Sequence, residues 1–233
     1  MARQMSGFGA FGKIPALGDF FQLDPPPGFV GPWDRWLQEG LLASRAILAE
    51  RWQNCFLSAP IWRFTLAAGL AGPQAVQGVL MASVDRSGRQ FPLTLVGSLH
   101  GASPPDVLAA HWAAEQSFSD LEAIALEALE DSMTQAGLAQ RLRTIAGVDT
   151  PHALPVTRFV SAVALRGKHD LAGALAARLA GGGYPRPSIW TAMLREDELL
   201  YVQDGLPSPA RMADFYDSDA ALWQDPLTAG ALP

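Results

Sequence analysis

The sequence predicts a layered α/β fold, with a mixed, partly antiparallel sheet flanked by helices. Three observations predict it. Apolar, β-rich runs pair off across short polar turns, which makes them antiparallel neighbours. A block of amphipathic helical segments separates two such sets of strands. The composition, 49% hydrophobic and 17% charged over 233 residues, suits one large domain or two small ones, and a single unit spanning 1–233 is expected. The hairpins argue against a purely parallel sheet.

Gly7 to Ile14 is apolar and aromatic and reads as a strand ended by Pro15. Gly18 and Pro25-Pro26-Pro27-Gly28 mark a loop. Pro32 suits the first turn of a helix. From there Trp33, Leu37, Leu41, Leu48, Trp52 and Phe56 recur at steps of four and seven. They form one stripe of a long amphipathic helix, with Asp34, Gln38, Arg45 and Gln53 off it and Pro60 beyond its end. Strands follow at Ile61 to Leu66, Gln77 to Val84 and Gln90 to Leu99. Asp85-Arg86-Ser87-Gly88 joins the last two, with Asp first and Gly last as a type I turn prefers. The run FPLTLVGSL is apolar on both faces and belongs inside the sheet, with Pro92 interrupting pairing near its start.

Ser103-Pro104-Pro105-Asp106 opens a helix with a capping serine, prolines in the first turn and a carboxylate three residues on. Ser119-Asp120-Leu121-Glu122 repeats that signal, and Leu121, Ile124, Ala128, Leu138, Leu142 and Ile145 continue as the stripes of two or three packed helices. Asp149 to Pro155 is a loop and the best internal boundary. Arg158 to Leu165 suits strand or helix, and Asp170 to Ala180 suits a helix stopped by three glycines. Ser188 to Leu194 and Glu198 to Gln203 form a second hairpin about Arg195-Glu196-Asp197. Ser208-Pro209 starts a short last helix, and the tail from Asp225 reads as loose.

Charge and cysteine usage narrow the function. A net charge of −6 disfavours non-specific nucleic-acid binding and anionic membrane surfaces alike. Cys55 is the single cysteine, so no disulfide forms within the chain, as expected of a reducing cytosol. The first residues lack a long apolar h-region and an evident cleavage site, and no run of 18 apolar residues occurs. A cytoplasmic protein without a membrane span is expected.

No motif carries strong catalytic chemistry. Gly7, Gly9 and Gly12 satisfy G-x-G-x-x-G, and Lys13 completes a GxxxxGK, but no strand precedes them, Pro15 opposes a helix at Gly12, and Ile14 stands where a P-loop needs Ser or Thr. The expectation is a glycine-rich strand edge that permits close packing. His100, His111, His152 and His169 are scattered without metal-ligand spacing, so neither metal nor cofactor is expected. Cys55 lies on the apolar stripe and reads as core. Tryptophan occurs at 33, 36, 52, 62, 112, 190 and 223. Trp33 and Trp52 read as core, while Trp36, at the stripe's edge, suits half exposure and thus a protein interface. Asp85, Arg86 and Arg89 form the main polar cluster. Either Asp85 caps its own turn and the arginines are solvated or paired with it, or the two guanidiniums present a planar fork to a partner's carboxylate or phosphate.

Four segments, in order, resemble the TagF family of type VI secretion-associated regulators: FGKIPALGDF (11–20), GPWDRWLQ (31–38), APIWRF (59–64) and GVLMASVDRSGRQFPLTL (78–95). The likeness departs at Ala16-Leu17, where the family pattern carries Ser-Arg before Gly18-Asp19. The resemblance implies a cytoplasmic, non-catalytic α/β protein that restrains a type VI secretion apparatus after translation. It also implies action by protein contact, notably with a forkhead-associated scaffold subunit. Candidate contact residues are Asp19, Trp33, Asp34, Arg35, Asp85, Arg86 and Arg89. Two alternatives are a small-molecule-binding protein or hydrolase with a polar cleft at Asp19, Asp85 and Arg89, and a structural subunit of the apparatus.

Overall fold

The computed structural model describes residues 7–99, 102–145 and 184–224. The expected loop at 149–155, the segments 158–165 and 170–180, and the tail from 225 lie outside the described residues. Seven strands form one sheet in the order β2-β1-β5-β4-β3-β6-β7. They are β1 (Gly9–Gly12), β2 (Phe21–Leu23), β3 (Trp62–Leu66), β4 (Ala75–Met81), β5 (Leu93–Leu99), β6 (Pro187–Leu194) and β7 (Asp197–Asp204). The layered α/β class is as expected. Every described pairing is antiparallel, so the sheet is less mixed than the helical block between its strand sets suggested.

Alternation along the strands builds two cores, one on each face. On one face Phe64, Val76, Leu80, Val96 and Trp190 meet α1 (Val30–Leu48), α2 (Trp52–Leu57) and α6 (Met212–Tyr216). On the other, Ala10, Val79, Met81, Leu93 and Leu95 meet α4 (Glu115–Glu127) and α5 (Gln135–Leu142). α3 (Pro104–Ala113) packs beside them on β3 and β6, and α7 (Ala221–Gln224) closes the described chain.

The helical stripe from Trp33 to Phe56 is buried throughout, but the helix is broken. A 3₁₀ turn at Ala49–Arg51, entered with Ala49 at φ 47°, separates α1 from α2 while keeping Leu48, Trp52 and Phe56 on the core. Trp36 is buried too, because the segment after β7 returns over it and Pro207 accepts its indole N–H at 2.7 Å. The Pro-rich loop holds the short strand β2, paired with β1. The capping box at Ser103 and Asp106 forms as expected. The repeat of that signal at Ser119 does not start a helix: α4 begins at Glu115 and runs through it, with Phe118, Leu121 and Ile124 all buried. β5 lies between β1 and β4 and begins only after Pro92, as a residue without an N–H requires.

Candidate functional site

The connection between β4 and β5 folds around a buried carboxylate. Asp85 is 2% exposed, and both its oxygens are occupied. Oδ1 accepts the Ser87 N–H at 2.9 Å, the Ser87 hydroxyl at 2.7 Å and the Arg89 N–H at 3.0 Å. Oδ2 accepts Lys13 Nζ at 2.8 Å and Arg89 Nε at 2.6 Å. The turn closes with the Gly88 N–H donating to the Asp85 carbonyl at 2.8 Å, Gly88 standing at φ 79°. Burial alone would raise the Asp85 carboxyl. The hydrogen bonds from Lys13, Ser87 and Arg89 outweigh it and hold the group far below the usual carboxylate range.

The turn is bolted to the segment that follows β1. The Arg86 N–H donates to the Leu17 carbonyl at 3.0 Å, its guanidinium donates to the Ala16 carbonyl, and Arg89 Nη2 donates to the Gly18 carbonyl at 2.7 Å. These bonds use only backbone carbonyls of residues 16–18, so they form with Ala16-Leu17 in place of Ser-Arg. Lys13 also lies over the Phe20 ring, 4.6 Å from its centroid. Phe20 meets Phe91 edge-on at 4.6 Å and stacks on Phe11 at 6.4 Å, yet remains 48% exposed.

The structure therefore brings together Asp85, Arg86, Arg89 and the Gly18-Asp19 loop. Asp19 is exposed and accepts the Phe20 N–H at 2.8 Å. The capping role of Asp85 is realised, and Arg86 and Arg89 remain exposed beyond it. A carboxylate has about four lone-pair positions, and Asp85 already receives five donors, so it offers none to a substrate. Trp33, Asp34 and Arg35 sit apart on α1. Trp33 must be corrected as a contact residue: it is fully buried against Phe29, Trp36, Phe64 and Trp190, and its indole N–H donates to Thr94 Oγ1 at 2.9 Å. Asp34 is half-buried and accepts from Gln38 Nε2 at 2.7 Å, while Arg35 is exposed.

Lys13 and Phe20 are the two members that sequence reasoning missed. In the sequence Lys13 stands out only within a phosphate-loop pattern, although a lysine among apolar residues at a strand end signals a buried anionic partner. That pattern has no phosphate geometry here. Gly9 and Gly12 belong to β1, and a Cβ on them would lie 2.3 Å from the Asp24 carbonyl oxygen and 2.1 Å from that of Pro92. The glycines serve close approach of neighbouring backbone.

A second polar cluster is internal. His111 on α3 bridges the sheet, with Nδ1 2.8 Å from Thr65 Oγ1 and Nε2 2.9 Å from Thr191 Oγ1. Burial, aided by the nearby Arg63 charge, pushes its pKa down to about 3. Arg63 on β3 pairs with Glu122 at 2.7 Å and Glu115 at 2.8 Å, fastening α4 to the sheet. Among the described residues no group of three or more His, Cys, Asp or Glu side chains could hold a metal ion. No described helix is long and apolar enough to cross a membrane.

Comparison with known proteins places the chain beside a secretion-associated family and a solved structure. Residues 9–145 match the TagF N-terminal domain, type VI secretion system-associated. The crystal structure of PA0076 from Pseudomonas aeruginosa PAO1 is similar at a TM-score of 0.74 and 31% identity, over 91% of this chain and 95% of that one. The search among curated proteins found no match.

Proposed function

The chain belongs to the TagF family of type VI secretion system-associated proteins, and from that premise we propose that it is a post-translational negative regulator of such an apparatus. It acts in the cytoplasm, without catalysis, by binding a component of the machine, and a forkhead-associated scaffold subunit is the expected partner. The observation that carries this reading is the family match over residues 9–145, which takes in both halves of the Asp85 clamp. The clamp supports a contact role over a chemical one. Its one buried carboxylate is saturated by the chain's own donors, while Phe20, Arg86 and Arg89 are exposed around it.

Affinity capture of the tagged chain from its native cytosol, with mass spectrometry of the retained proteins, tests the reading. Recovery of a forkhead-associated scaffold or another secretion component is the expected result. A partnerless chain recovered while the apparatus is expressed would contradict it.

A further inference from the structure

We propose that Phe20, Arg86 and Arg89 form one preassembled contact surface, and that its occupant is an acidic segment of a type VI secretion component with an apolar side chain beside its carboxylates. The proposal deepens the regulator reading and rests on it. Three observations lead to it.

The first is the exposed aromatic ring. Phe20 leaves 48% of its area in water although Phe91, Phe11 and the Lys13 ammonium hold it on its other sides. A ring fixed in this way loses little conformational freedom on binding, and so suits an interface anchor.

The second is spare hydrogen-bonding capacity. Each guanidinium has five N–H donors. Arg86 spends one Nη2 donor on the Ala16 carbonyl, and Arg89 spends Nε on Asp85 and Nη2 on Gly18. Their remaining donors have no partner among the described residues, and both side chains are exposed. Arginine held by one edge presents the other to a carboxylate in a fixed plane.

The third is charge. The chain carries −6 overall, yet within the two segments joined here, 13–20 and 84–91, the exposed charged residues are Arg86 and Arg89 against Asp19. The Lys13–Asp85 pair beneath them is buried and cancels internally. A positive spot on a negative molecule selects an acidic partner and orients it on approach. Asp85 is a positioning residue here: through Lys13, Arg89 and the turn amides it holds the two loops in one arrangement, and it does not itself face the partner.

The test places a photoreactive phenylalanine analogue at position 20 of the full chain in the producing strain. It is read beside secretion by strains carrying Phe20→Ala or Arg86→Glu and by a strain lacking the gene. The expected crosslink joins position 20 to an acidic segment of a secretion component, and adding Arg86→Glu weakens it by roughly tenfold or more. Both single variants should raise secretion toward the level of the deletion while melting within a few degrees of the native chain. Arg86→Gln, which removes the charge without reversing it, should fall between. A crosslink to a neutral or basic segment, to a second copy of this chain only, or to nothing would overturn the proposal. Full repression by both variants, in a background where deletion raises secretion, would overturn the surface and leave the regulator reading standing. Unchanged secretion on deletion would overturn the regulator reading itself.

Discussion

Replacing Trp190 with alanine should remove roughly a fifth or more of the protein's stability. Trp190 lies on β6, beyond the residues matched to the family domain, and is fully buried at the centre of the first core. Its ring stacks on Trp33 at 6.2 Å and meets Trp36 at 5.5 Å, Phe64 at 5.5 Å and Phe215 at 5.2 Å. Truncating a buried Trp to Ala costs about 3–5 kcal/mol, against a total of roughly 5–15 kcal/mol for a typical protein. For a chain of this size each kcal/mol moves the melting temperature by about 2–4 °C, so a fall of roughly 6–20 °C is expected. Trp190→Phe should behave differently. The indole N–H of Trp190 has no hydrogen-bond partner among the described residues, and phenylalanine removes that buried donor while keeping a ring. The loss should stay under about 1.5 kcal/mol, since the desolvation cost of the orphaned N–H is recovered. Urea and thermal unfolding followed by circular dichroism give both numbers. A loss below about 1 kcal/mol for the alanine variant, or equal losses for both variants, would refute the argument that β6 completes the core.

Two further outcomes follow from the buried charges. Lys13→Met should lower the melting temperature more than Arg89→Ala, because Lys13 is buried against Asp85 while the Arg89 side chain is 59% exposed. Combining Lys13→Met with Asp85→Asn should cost less than the sum of the two, and strict additivity would show that they do not act as a pair. His111 sets an acid limit. Its folded pKa of about 3 lies below its unfolded value of 6.5, so its contribution is complete above pH 6.5 and is lost as pH falls toward 3. The slope approaches about 1.4 kcal/mol per pH unit for one proton. Unfolding midpoints of the native chain and His111→Gln, compared at pH 7.5 and 4.5, should show a smaller acid loss in the variant, and parallel losses would contradict the assignment.

Local pattern carried much of this fold. The stripe from Trp33 to Phe56 reads directly as a buried face because helical neighbours recur every three to four residues. The hairpin at Asp85–Gly88 reads from its turn chemistry. The break at Ala49 was not legible, since nothing in an alanine announces a positive φ and the core contacts of Leu48, Trp52 and Phe56 on either side of it are tertiary. β2 was hidden because three residues among prolines carry no periodicity, and its pairing with β1 is tertiary. Ser119 misled because a capping sequence in mid-helix has the same letters as one at a start, and only the burial of Phe118 and Leu121 tells them apart. At the site, the turn and its arginines were visible, but the clamp was not. Lys13 and Asp85 are 72 residues apart, and nothing local in either segment states that one closes on the other.

The most direct test of the central claim is type VI-dependent secretion measured in the producing strain with the gene deleted and then restored. The account predicts that secretion rises on deletion and returns to its restrained level when the intact chain is supplied. Secretion that stays level or falls on deletion, in a strain whose apparatus works, would contradict it.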